Sequence, residues 1–162
     1  MVSAALIDTN IIIDHFHGIA AADREIHYYD DAAISAVTWM ELTSALQAKL
    51  IAGRLSQVDF DASTAFINAF SLVSINKSIM QNAAACRARA LAARLKLALP
   101  DAIIYATGQV TRRLIVTRNS KDFSGPGVRI PYKNTASSST KMDLFTPAET
   151  MRFLVSDIAP PP

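Results

Sequence analysis

Short apolar runs alternate with longer amphipathic stretches along this chain. Ala4-Ala5-Leu6-Ile7 is continuously apolar and stops at Asp8, the pattern of a strand buried on both faces. Asn10–His17 has helical character up to a stop at Gly18, and a polar, acidic helix is predicted over Ala21–Tyr29. Ala33–Val37 reads as a second strand. From Thr38 the apolar positions Met40, Leu42, Ala45, Leu46 and Leu50 suggest an amphipathic helix closed by Gly53. Ser56 resembles the N-cap of a helix reaching Phe70, and Leu72–Ile75 is a third strand candidate. An alanine-rich helix of high intrinsic propensity is predicted over Lys77–Lys96. Pro100 sits at the start of another helix, where its missing N–H is harmless, and that helix continues to Arg112. Leu114–Thr117 and, after the Gly125-Pro126-Gly127 turn, Val128–Ile130 supply the fourth and fifth strands.

Strands separated by helices predict an α/β fold with a mainly parallel sheet of about five strands, flanked by helices on both sides. Ligands in such folds bind beyond the carboxyl ends of the strands, where the strand order reverses. The pattern changes after residue 132. Residues 1–132 are expected to form the main domain, and 133–162 a flexible segment and short helix packed on it or extending it. Within that segment Thr135–Thr140 is loop-like, and Thr146-Pro147-Ala148-Glu149 has capping-box spacing with proline at the first helical position, which predicts a helix to about Val155. Pro160-Pro161-Pro162 reads as a frayed end.

Composition narrows the class. The 162 residues are 51% hydrophobic and 19% charged, enough to bury a core. No apolar stretch approaches the roughly 18–20 residues of a membrane helix, and the N-terminus lacks the basic region of a secretory signal. Cys86 is the only cysteine, so no internal disulfide forms and a reducing cytoplasm is the expected location. The net charge of +2 excludes little. Basic residues do cluster locally, Arg87, Arg89, Arg94 and Lys96 in one segment and Arg112, Arg113, Arg118, Lys121, Arg129 and Lys133 in another. Solvated helix faces account for such clusters, and so does a surface that contacts phosphate.

The candidate chemistry is acidic. Asp8, Glu41, Asp101 and Asp122 each follow an apolar run or open a helix. Singly, each has a structural explanation: a helix cap for Asp8, a first-turn carboxylate for Glu41 and Asp101, an Asx-turn for Asp122. Together in one small α/β domain they suggest more. A pair of carboxylates about 4 Å apart repels by roughly 4 kcal/mol at an effective dielectric near 20. A folded site relieves that by protonating one member or by holding a cation, so the pattern points to a divalent-metal site of oxygen ligands. Other residues attract weaker readings. His15, His17 and His27 lack zinc-site spacing, Cys86 reads as a small core residue, Trp39 and Phe16 as packing residues, and Asp14 as solvent-facing.

Leu6-Ile7-Asp8-Thr9-Asn10, Ile34-Ser35 leading to Glu41, Leu99-Pro100-Asp101-Ala102 through Thr107, and Leu114 through Asp122-Phe123 resemble, in order and approximate spacing, the motifs of the PIN domain family, with the VapC toxins of bacterial and archaeal toxin–antitoxin pairs as the subgroup most alike. Val128–Tyr132 resembles that family's last strand and Thr146–Glu149 its closing helix. The resemblance implies a three-layer PIN-like fold and a metal-dependent endoribonuclease, with Asp8, Glu41 and Asp101 as core acids for Mg²⁺ or Mn²⁺. The fourth family position falls on Asn119, where many members have Asp, and Asp122 follows three residues later. Either residue can serve there: Asn119 through a neutral oxygen or an oriented water, Asp122 as a ligand or a support. Thr9 and Asn10 are supporting candidates, and Arg118 and Lys121 are candidates for RNA phosphate contact. The family further implies an RNA substrate, a VapB-type antitoxin and a homodimer.

Two other classes compete. Asn119 permits an inactive PIN-like module that binds RNA or a protein. An aspartyl phosphatase is disfavoured, because the second Asp such enzymes carry two residues after the first is Asn10 here.

Overall fold

The computed structural model describes residues 4–132. The Thr146–Glu149 helix and the loop-like stretch before it lie outside them. Five strands, β1 (Ala4–Ile7), β2 (Asp31–Ser35), β3 (Ser71–Val73), β4 (Leu114–Val116) and β5 (Val128–Arg129), form one sheet in the order β3-β2-β1-β4-β5. Every neighbouring pair is parallel. Helices α1 (Thr9–Phe16), α2 (Ala20–Ile26), α3 (Ala36–Ile51), α4 (Gln57–Asn68), α5 (Lys77–Ala92) and α6 (Leu99–Thr111) connect them.

The alternation of side chains along each strand explains the layers. Ala5, Ile7, Ile34 and Val116 point into a core shared with Ile11, Ile12 and Phe16 of α1, Ile26 of α2, Leu42 and Leu46 of α3, and Ile67 of α4. Their neighbours Leu6, Ala33 and Ile115 point the other way, toward Ile104 of α6 and Phe123. A strand with an apolar residue on each face needs cover on each face, and helices provide it on both sides. Helix α5 packs outside α6 through Ile79 and Ala83.

The strand order reverses at β1, which lies between β2 and β4 with Leu6 opposite both Ala33 and Ile115. A crevice therefore opens at the carboxyl ends of β1 and β4.

Element boundaries depart from the expected ones where side chains cap the backbone. Strand β2 ends at Ser35 rather than Val37, because the Ser35 hydroxyl accepts the Thr38 N–H at 3.0 Å and starts α3 at once. That rotates Met40 outward, half exposed, and places Val37 and Thr38 inside. Helix α5 stops at Ala92, short of Lys96, in a Schellman arrangement: Arg94 adopts φ +56°, its N–H bonds Leu91 O and the Leu95 N–H bonds Ala90 O. No glycine marks that stop.

Helix α6 crosses β4 closely at Gly108. A Cβ there would lie 2.3 Å from Ile115 Cγ1. Overpacking costs about 1–3 kcal/mol, and alanine returns up to about 1 kcal/mol of helix propensity. Gly108→Ala is therefore expected to lower unfolding free energy by about 1–2 kcal/mol in urea denaturation. An unchanged midpoint would show that Ile115 yields freely.

Candidate active site

The crevice between β1 and β4 is organised by one buried hydroxyl. Thr117, directly after β4 and fully buried, donates from Oγ1 to Asp8 Oδ2 at 2.6 Å. The same oxygen accepts from Asn10 Nδ2 at 3.0 Å and from the Asn119 N–H at 3.0 Å. Asn10 Nδ2 also donates to Asp8 Oδ2 at 2.6 Å, and its Oδ1 accepts the Arg118 N–H at 2.9 Å. Asp8 caps α1 as well, its Oδ1 taking the Thr9 N–H at 2.7 Å. Capping and site placement are thus one arrangement, not alternatives.

Glu41 lies in the second turn of α3, beyond the first-turn position, and its Oε2 accepts the Thr9 hydroxyl at 2.6 Å. Asp101 stands in the first turn of α6, next to Pro100. Asn119 Nδ2 donates to Asp122 Oδ2 at 2.7 Å, and Asn119 Oδ1 accepts the Asp122 N–H at 3.3 Å. The two candidates for the fourth position are therefore bonded to each other.

Electrostatics ties the acids together. Asp101 is raised from 3.8 to about 6, first by desolvation and then by the negative charges of Asp122, Asp8 and Glu41. Asp8 is also raised, because its burial outweighs the hydrogen bonds from Thr117, Thr9 and Asn10 that favour its charged form. Asp8, Glu41, Asp101 and Asp122 thus share one field at the carboxyl edge of the sheet. Among the described residues no group of three or more acidic, histidine or cysteine side chains stands close enough together to hold a metal ion as placed. An open set of oxygen donors under mutual repulsion fits a hard divalent cation such as Mg²⁺, which binds through few carboxylates and retains waters.

Two residues behave differently from the sequence expectation. Asp14 is buried, not solvent-facing: α1 is apolar on most sides, and Asp14 points into the gap between it and the chain after β4 and β5. There its Oδ1 accepts Arg118 Nη2 at 2.9 Å and its Oδ2 accepts the Tyr132 hydroxyl at 2.8 Å. Arg118 also pairs with Asp14 through Nε, so its guanidinium is turned toward α1. Lys121 remains exposed. Thr117 and Asp14 are the residues the sequence reading missed. The available signals were a hydroxyl closing an apolar strand and an acid directly after the apolar run Ile11-Ile12-Ile13.

Residues 5–125 match the PIN domain family. The chain belongs to that family. A toxin–antitoxin complex from Klebsiella pneumoniae contains a chain 35% identical to this one, covering 80% of this chain and 99% of that one at a TM-score of 0.68. DNA-bound VapBC from Salmonella typhimurium matches at 19% identity over 78% of this chain and 96% of that one, TM-score 0.66. FitAcB from Neisseria gonorrhoeae matches at 18% identity over 74% and 90%, TM-score 0.62. The last two show the fold alone. No curated protein matches the chain. The PIN resemblance seen in the sequence agrees with the family match, and its toxin–antitoxin part with the Klebsiella pneumoniae complex.

The raised carboxyls set a pH dependence. The folded chain holds a proton on Asp101 that the unfolded chain releases, over the window from 3.8 to about 6. Stability without a cation therefore falls as pH rises through that window. In the presence of a chelator, the Tm difference between Asp101→Asn and the parent chain is expected to shift in the variant's favour as pH rises through it. A difference that stays constant with pH would show that Asp101 is not crowded.

Proposed function

We propose that this PIN domain protein is the toxin of a type II toxin–antitoxin pair and acts as a Mg²⁺- or Mn²⁺-dependent endoribonuclease. The observation that carries this reading is the field at Asp101, raised to about 6 by burial and three neighbouring carboxylates. Crowded acids of this kind are relieved by a cation, and an oxygen-donor site beside a parallel sheet's switch point suits phosphodiester hydrolysis. The toxin role is supported by the Klebsiella pneumoniae toxin–antitoxin complex, whose matching chain this one covers almost completely.

In this reading Asp8, Glu41, Asp101 and Asp122 hold the cation. When bound, the cation supplies the positive charge that activates water and offsets charge on the phosphoryl oxygens. The chain's own residues do the positioning. Thr117 and Asn10 fix the Asp8 carboxylate from the β4 side, and Thr9 fixes Glu41 from the start of α1. Asn119 orients Asp122 through the bond between them. Asp101, raised to about 6 by burial and the neighbouring carboxylates, would be a ligand whose proton a bound cation displaces. Lys121, exposed beside this loop, is placed to meet RNA phosphate. A VapB-type antitoxin, a homodimer and a cytoplasmic location complete the proposal. Among the described residues no helix is long and apolar enough to cross a membrane.

One observation favours a second reading. The Asn119–Asp122 hydrogen bond occupies an oxygen of the fourth acid, which suits an inactive PIN-like module that binds RNA or protein without cleaving it. Calorimetric titration with Mn²⁺ separates the two, since the inactive module has little affinity.

Asp8→Asn and Asp101→Asn are expected to reduce metal-dependent RNA cleavage by more than roughly 100-fold, beyond the range caused by losing a group that only orients a ligand. Circular dichroism should show the fold retained. Undiminished cleavage in both variants would overturn the site assignment.

A further inference from the structure

Among the described residues two buried carboxylates are each bonded to one arginine and one tyrosine. Glu25 of α2 receives Arg129 of β5 and the Tyr29 hydroxyl. Asp14 of α1 receives Arg118 and the Tyr132 hydroxyl. The first set ties α2 to the sheet edge. The second differs in what its arginine is attached to.

Arg118 lies between Thr117, which holds Asp8, and Asn119, which holds Asp122. Its backbone N–H bonds Asn10 Oδ1 at 2.9 Å while its side chain reaches back along α1 to Asp14. Two points one helical turn apart on α1 therefore grip the same residue, Asn10 by its backbone and Asp14 by its guanidinium. A residue held at both ends cannot swing its peptide, and the turn that presents Asn119 and Asp122 begins at that peptide. Tyr132 donates to the second Asp14 oxygen and fixes the carboxylate's own orientation.

We propose that Asp14 is a positioning residue for the acidic site, clamping Arg118 so that the 117–122 turn holds Asp122 and Asn119 in register with Asp8. Arg118 accordingly serves the site from behind and does not contact RNA. This rests on the metal-centre reading above for its consequence, a higher cation affinity, but the clamp itself stands on the hydrogen bonds alone.

The test uses the full chain and Mn²⁺ as the probe. In Asp14→Asn, which is nearly isosteric but uncharged, Mn²⁺ affinity by calorimetry is expected to fall roughly 10-fold or more, the scale of losing a group that orients a ligand. Amide hydrogen exchange at Asn119 and Asp122 should quicken, with exchange in the β1 and β2 core unchanged. For RNA cleavage, kcat should fall while KM changes little. Tyr132→Phe, which removes one hydroxyl, should show the same pattern more weakly and covers the case in which Asp14→Asn does not fold. Glu25→Gln is the control: it breaks the equivalent carboxylate–arginine set and should leave Mn²⁺ affinity intact.

Unaltered exchange at Asn119 and Asp122 in both Asp14→Asn and Tyr132→Phe would overturn the proposal. So would an effect confined to KM, which would return Arg118 to the RNA surface, or an equal loss of Mn²⁺ affinity in Glu25→Gln, which would mark a general stability effect. If the parent chain binds no Mn²⁺, the metal-centre reading fails, and exchange at Asn119 and Asp122 alone decides the clamp.

Discussion

A threonine hydroxyl offers one proton and two lone pairs, and Thr117 commits all three at the bottom of the crevice. Its proton goes to Asp8, and its lone pairs receive Asn10 and the backbone of Asn119. With no water in reach of a fully buried oxygen, each bond is needed to satisfy the group. The β1 and β4 sides of the crevice are referenced to this atom. It joins the end of β1 to the end of β4, places the Asp8 carboxylate, and begins the turn that carries the fourth acidic position. Asp8 in turn starts α1, whose Thr9 holds Glu41 on α3. One oxygen thus links three elements that the chain supplies far apart.

The same wiring explains how a crowded acidic edge coexists with a stable fold. The negative charges of Asp122, Asp8 and Glu41 converge on Asp101, yet the hydrogen bonds to Asp8 and Glu41 come from groups already fixed by secondary structure. Little side-chain entropy is lost in holding them. The repulsion that remains is localised where α6 enters the crevice, at a residue preceded by proline and free of side-chain hydrogen bonds to the other acids. Asp101 can relieve it by protonation or by binding a cation.

Much of this was legible in the residues. The inner strands β1 and β4 appear as short apolar runs because they are covered on both faces, and Asp8 stands out because it ends the first of them. The alternation of Ala5, Leu6 and Ile7 between two cores gave no separate signal, since all three are apolar. Boundaries set by a single side chain were hidden: Ser35 ends β2 two residues early because its hydroxyl finds Thr38, and Arg94 ends α5 without the glycine that usually marks a left-handed stop. Asp14 was misread for a different reason. Helical periodicity places a residue on a face but does not say what faces it, and the arginine and tyrosine that bury Asp14 lie 104 and 118 residues away.

That separation has a temporal side. The bond between Thr117 and Asp8 spans 109 positions, and parallel pairing of β1 with β4 closes nearly the whole described chain into one loop. Such contacts form late, after the local helices and the β1–β2 pairing that needs only the intervening residues. A chain emerging in order from its N-terminus can therefore build α1 to α4 on β1 and β2 while the crevice has only one wall. Thr117, Asn119 and Asp122 all follow β4, so the bonds that fix Asp8 and the fourth acidic position are absent from every partly made copy of the chain.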